Sequence, residues 1–159
     1  MGGGSMKLKN NTGSAVVEFA VILPLLLLIL YGIIEFGLIF YNKALLTNAS
    51  REGARFGVLY RAPDDVEARN DLQKGIEDRI DNYLGTKLIS FGDHSPTIDF
   101  RLVNPETKIE SPVSLEDLES DQYLLIRINF DYEFLLIPAF IPGISNIISL
   151  AGTTTMRVE

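Results

Sequence analysis

The sequence predicts an α+β protein: a long N-terminal apolar helix followed by a small head, in which a second helix packs on a short antiparallel sheet. Three observations carry this. Residues Ser14 to Tyr41 are apolar all round, with 16 uncharged residues between Glu18 and Glu35. After Pro63 the apolar residues shift to a one-faced stripe at helical spacing, and from Thr97 onward they recur at every second position. The chain divides accordingly into a leader (1–13), a hydrophobic helix with its extension (14–60) and a head (61–159).

A helix apolar on every side buries itself in lipid or in a helical assembly, not against one core. At ~1.5 Å per residue the run from Ser14 to Tyr41 reaches about 42 Å, more than the ~30 Å hydrocarbon slab of a bilayer. It can span a membrane and still project. Glu18 lies inside this run, where a charge at the centre of a membrane helix costs about 2.5 to 3.5 kcal/mol, so a partner that neutralises it is expected. Pro24 removes one backbone donor and is expected to kink or loosen the helix. Glu35, near the far end, reads as an interfacial acid that reaches water.

Before the run stand Lys7 and Lys9, then Thr12-Gly13-Ser14, with no acid among the first 17 residues. The opening MGGGS precedes a second methionine, Met6, and is set aside from the fold. The run GSAVVEFAVILPLLLLILYGIIEFG, followed by NASREGARFG, resembles the TadE-like minor pilins (pseudopilins) of the tight-adherence (Flp, type IVc) pilus systems. A strand, a Pro-interrupted apolar stretch and the terminal TTTMRVE continue the likeness at the other end.

That resemblance implies a prepilin peptidase cutting after Gly13, which makes Ser14 the mature N-terminus and Glu18 the fifth residue, followed by Phe19. The Glu18 carboxylate would then meet the new α-ammonium of a neighbouring subunit and set register, because burying either charge alone is unfavourable. The implied partners are other pilins of the system, the prepilin peptidase, an inner-membrane assembly platform and membrane lipid. The implied location is the inner membrane, single-pass, with the N-terminus cytoplasmic and the head outside, and the implied role is pilus assembly or initiation serving adhesion. A second reading stands beside it: an uncleaved bitopic membrane protein whose head binds a partner in the cell envelope, with Glu18 at the headgroup level.

From Asn42 to Leu59 the pattern stays helical and extends the anchor out of the membrane. Ala49, Gly53 and Gly57 fall at i, i+4 and i+8, a strip of small residues that admits a close neighbour. Two readings are open for it, a subunit-packing face or a seat for the chain's own head. Arg61 to Asp64 breaks the helix, and a second helix is expected from Pro63 or Asp64, burying Val66, Leu72, Ile76, Ile80 and Leu84 and ending at Gly85.

Thr97 to Val103 reads as a half-buried strand, and Tyr123 to Phe134 as a longer one with Leu124, Ile126, Ile128, Phe130, Tyr132 and Phe134 on its inner face. Residues 106–122 read as an acidic loop with a short edge strand near Lys108 to Glu110. Leu135 to Leu150 has 16 residues without a charge, and Pro138 and Pro142 argue for an apolar loop at an interface or the membrane surface over a second spanning helix. A last strand is expected from Thr153, alternating Thr154, Met156 and Val158 against Thr153, Thr155 and Arg157.

The net charge is -7, and from Arg61 onward 18 acids face 9 bases, which disfavours nucleic-acid binding. With no cysteine and one histidine, His94, the chain offers no strong transition-metal set, and no cofactor is expected. Glu116, Asp117, Glu119 and Asp121 lack the spacing and central glycine of a calcium loop. No nucleotide-binding or nucleophile motif is present, so no enzymatic activity is expected.

Overall fold

The computed structural model describes residues 12–59, 66–107, 110–112, 122–135 and 145–158. The leader up to residue 11, the break at 61–64, the acidic run 116–121 and most of the apolar connection after Leu135 lie outside the described residues.

Helix α1 (Thr12–Leu59) is a single element of 48 residues that runs through Pro24 without a break. Its inner half up to Ile34 touches almost nothing, and Val16, Val17, Phe19, Val21, Ile22 and the leucines around Leu26 are all exposed. Among the described residues this is the one helix long and apolar enough to cross a membrane. Its outer half is a core helix of the head, contributing buried Leu45, Leu46, Ala49 and Ala54.

Helix α2 (Val66–Leu84) buries Leu72, Ile76, Ile80 and Leu84 in that core. Lys74, Asp78 and Asp81 point to solvent. Gly85 adopts φ +43, a left-handed conformation that a Cβ disfavours, and it turns the helix into a short 3-10 segment, Gly85–Lys87.

Four antiparallel strands follow: β1 (Thr97–Val103), β2 (Glu110–Pro112), β3 (Tyr123–Glu133) and β4 (Ile147–Arg157), in the order β2-β1-β3-β4. β2 is the short edge strand expected near residue 110. Even-numbered residues of β3, from Leu124 to Tyr132, are buried in the core that the helices complete. The opposite face carries a charge ladder in which Arg101 meets Asp99 at 2.8 Å and Glu110 at 3.4 Å, with Arg127 3.5 Å from Glu110. One layer of helix on one face of a half-wet sheet is the expected α+β arrangement.

The strand β4 begins six residues earlier than the alternation at the chain end implied. Ile147 to Leu150 read as the close of an apolar loop, but they pair with Phe130 to Glu133 across the sheet. The cause is the length of β3: an eleven-residue strand offers ladder partners over its whole length, and Phe134 N–H bonds the Asn146 carbonyl at 3.0 Å to close the end.

The direction of the strands fixes which end of the head lies near the apolar half of α1. β3 descends along α1, because Leu124 faces Gly57 at one end and Tyr132 meets Glu35 at the other. β4 ascends beside it, with Gly152 against Leu46 and Thr154 against Ser50.

Candidate functional site

The candidate residues fall in two sets: those near the N-terminus of α1, and those that seat the head on it. Gly13, Ser14, Glu18 and Phe19 all lie on α1 and all are exposed. The Ser14 hydroxyl donates to Glu18 Oε1 at 3.2 Å, one turn along the helix. Among the described residues this one hydrogen bond leaves most of the carboxylate's capacity open, as an ionised carboxylate can accept about four. In hydrocarbon that is an unsatisfied charge.

The second set begins at Glu35. This residue was expected to reach water as an interfacial acid; it is instead 2% exposed, enclosed between α1 and the end of β3. Its Oε1 accepts from the Tyr132 hydroxyl at 2.7 Å and from the Leu135 backbone N–H at 3.0 Å. These two donors replace the water that the carboxylate would otherwise keep. The sequence does carry a faint signal for this: Glu35, Asn42 and Ala49 are seven apart and therefore share one face of the helix.

Asn42, fully buried, continues the same face. Its Nδ2 donates to the Ile89 carbonyl at 2.6 Å and its Oδ1 accepts the Ile89 N–H at 3.0 Å, so one side chain pairs both backbone groups of a residue in the α2–β1 connection. Further out, the Ser50 hydroxyl lies 2.7 Å from Thr154 Oγ1 and donates to Thr47 O at 2.9 Å. Lys43 reaches the Ala151 carbonyl of β4. The head is therefore held by polar bonds spaced along α1 as well as by apolar packing. Among the described residues no buried side-chain polar atom lacks a partner.

Burial and the adjacent Glu35 carboxylate, which accepts its proton's hydrogen bond, hold the Tyr132 phenol well above its ordinary pKa. The folded protein then keeps a proton that the unfolded chain releases above pH ~10, so this contribution is complete below that pH and declines above it. The unfolding free energy is expected to fall by up to about 1.4 kcal/mol per pH unit above pH ~10 from this group. Comparing wild type with Tyr132→Phe by denaturant titration in detergent isolates that increment, which the variant should lack.

The small strip faces the chain's own elements. A Cβ on Gly53 would come within 2.7 Å of Ile80 Cδ1, and one on Gly57 within 2.8 Å of Leu124 Cδ2 and 3.0 Å of Ile76 Cδ1. Ala49 is fully buried beside them. Gly152, which nothing in the local pattern singles out, has a tighter neighbour: the backbone of Leu46 and Thr47. His94 sits 3.7 Å from Glu133, both about one-third exposed. Among the described residues no three His, Asp or Glu side chains gather as a metal site.

Residues 13–55 match the family model of TadE-like protein, a family of structural components associated with the Tad pilus. The match covers the exposed apolar half of α1 and the part that carries Glu35, Asn42 and Ser50; the sheet and α2 lie outside it. No curated protein and no solved structure matches the chain.

Proposed function

We propose that the chain is a TadE-like minor pilin, acting in assembly or initiation of a Tad (Flp, type IVc) pilus after a prepilin peptidase cuts between Gly13 and Ser14. The observation that carries this reading is Glu18. It stands exposed on an apolar helix, where among the described residues the Ser14 hydroxyl is its hydrogen-bond partner, four residues from the bond whose cleavage would create an ammonium. A neighbouring subunit's new N-terminus would supply the missing charge, and a paired, hydrogen-bonded ion is tolerated where a lone one is not.

The inner half of α1 would lie in the inner membrane with the head outside the cytoplasm, and lipid, other pilins, the peptidase and the assembly platform would be its partners. Ala49, Gly53 and Gly57 act in helix packing, with α2 as the neighbour that lies against Gly53 and Gly57.

The test is the intact mass of the chain from cells that carry the cognate prepilin peptidase, beside Gly13→Ala. Loss of residues 1–13 in the first and not in the second is the expected result. An uncut chain in both, with the peptidase active on its major pilin, would favour the uncleaved bitopic protein. Glu18→Ala is expected to leave the stability of the head unchanged, since no head residue touches it among those described, and to lower the yield of assembled pili.

A further inference from the structure

Among its described residues, the end of the head that meets the apolar half of α1 exposes large apolar side chains. Glu35 is the first buried residue along α1, and at ~1.5 Å per residue it stands about 33 Å from Gly13, close to the ~30 Å thickness of the hydrocarbon slab. The bonds from Tyr132 and Leu135 to Glu35 place the end of β3 at that level. There Leu135 is 46% exposed, and the start of β4, opposite Tyr132 and Glu133, exposes Ile147 at 40% and Ile148 at 39%. On α1 at the same level Phe36, Phe40 and Tyr41 are exposed, and Tyr31 lies one turn further in. Aromatic residues gather at the membrane–water boundary, where a ring body is apolar and a hydroxyl stays wet.

We propose that Leu135, Ile147 and Ile148 insert into the head-side leaflet, giving the protein a second contact with the bilayer that α1 spans. The inference rests on the membrane-spanning reading of α1. Its occupant follows from continuity: the patch adjoins a helix surface that is already lipid-facing, and at the same depth. The charges nearby limit the depth of insertion. Asp131, bonded to Ser149 at 2.5 Å, and Glu133, bonded to Asn146 at 3.0 Å, point to the wet face of the sheet and belong among the headgroups. Only the apolar tips enter the acyl region. Such a seat would fix the tilt of the head on the membrane before a subunit leaves it, and would be given up on extraction.

The chain has no tryptophan, so single reporters can be read without background. Full-length Leu135→Trp, Ile148→Trp, Leu25→Trp and Asp71→Trp are reconstituted in vesicles of phosphatidylethanolamine and phosphatidylglycerol with brominated acyl chains. Leu25 lies mid-way in the apolar run, and Asp71 lies on the far part of α2, exposed. Emission from residues 135 and 148 is expected to be blue-shifted and quenched by bromines near the headgroup, emission from residue 25 by deep bromines, and emission from residue 71 by neither. Quenching at residue 25 alone overturns the second contact and leaves the spanning helix intact. Absence of quenching at all four positions overturns the spanning helix as well. Equal quenching at residue 71 means that the head lies on lipid without orientation, which also overturns the proposal. Reporters on both sides of the β3–β4 connection keep the result readable if one substitution disturbs packing.

Discussion

Gly152→Val is expected to unfold the head at temperatures where the wild-type protein is stable. A Cβ at position 152 would lie 2.4 Å from the Leu46 carbonyl carbon, 2.5 Å from its oxygen and 2.7 Å from the Thr47 nitrogen. All three are backbone atoms of α1. No side-chain rotation can relieve the clash, so either the helix moves off the sheet or the strand bends away. Overpacking of a well-filled core costs about 1–3 kcal/mol when neighbours can shift, and more when backbone must move. The expected loss is therefore about 3 kcal/mol or more, a large share of the ~5–15 kcal/mol that holds a typical domain.

Two other glycines calibrate this. Gly53→Ala meets the flexible ends of Ile80 and Ile76 and is expected to cost less, about 1–2 kcal/mol. Gly32→Ala has nothing within 4 Å and is expected to leave the head unaffected. Thermal unfolding in detergent micelles, followed by near-ultraviolet circular dichroism, should rank the three as 152, 53, 32. A Gly152→Val protein as stable as wild type would show that helix and sheet do not approach at this point.

Glu35→Ala is expected to have the second large effect, about 1–3 kcal/mol for the buried Tyr132 hydroxyl left without its acceptor, with a smaller loss from the part-buried Leu135 N–H. Tyr132→Phe removes one charge-assisted bond and is expected to cost about 1.5–3 kcal/mol. The double variant should lose clearly less than the sum of the two, since the same bond is counted in each single change. Glu35→Gln keeps an acceptor oxygen and should recover much of the loss. Full additivity would mean that the two side chains act independently and that Glu35 is held by other groups. Read beside Glu18→Ala, the series separates two acids on one helix: Glu35 is expected to govern the attachment of the head, and Glu18 the incorporation of the subunit.

Much of the architecture was legible because it is written in local period. The strands β1 and β3 start where alternation starts, at Thr97 and Tyr123, and the stripe of α2 is the set Leu72, Ile76, Ile80 and Leu84 that the core receives. The start of β4 was not legible. Ile147-Ile148-Ser149-Leu150 has no clear alternation and follows two prolines, so its strand character comes from β3 alongside it. Glu35 was legible as a carboxylate in an unusual place but not as a buried one, because its donors are 97 and 100 residues further along the chain. The small strip shows the same limit. Its spacing announces a close neighbour, yet only Ile76, Ile80 and Leu124 identify which one.

The sequence by itself determined the membrane-length helix, the motif around Gly13 and Glu18, the order of helices and strands, and which face of each is apolar. Each of these depends on residues within a few positions of one another, where helical and strand geometry convert spacing into a face. The tertiary structure alone decided that the outer half of α1 is a core helix, that Glu35 is shut in by Tyr132 and Leu135, and that Gly152 admits the backbone of Leu46. These are meetings between segments about a hundred residues apart, and their identity is set by how a whole sheet lies on a helix.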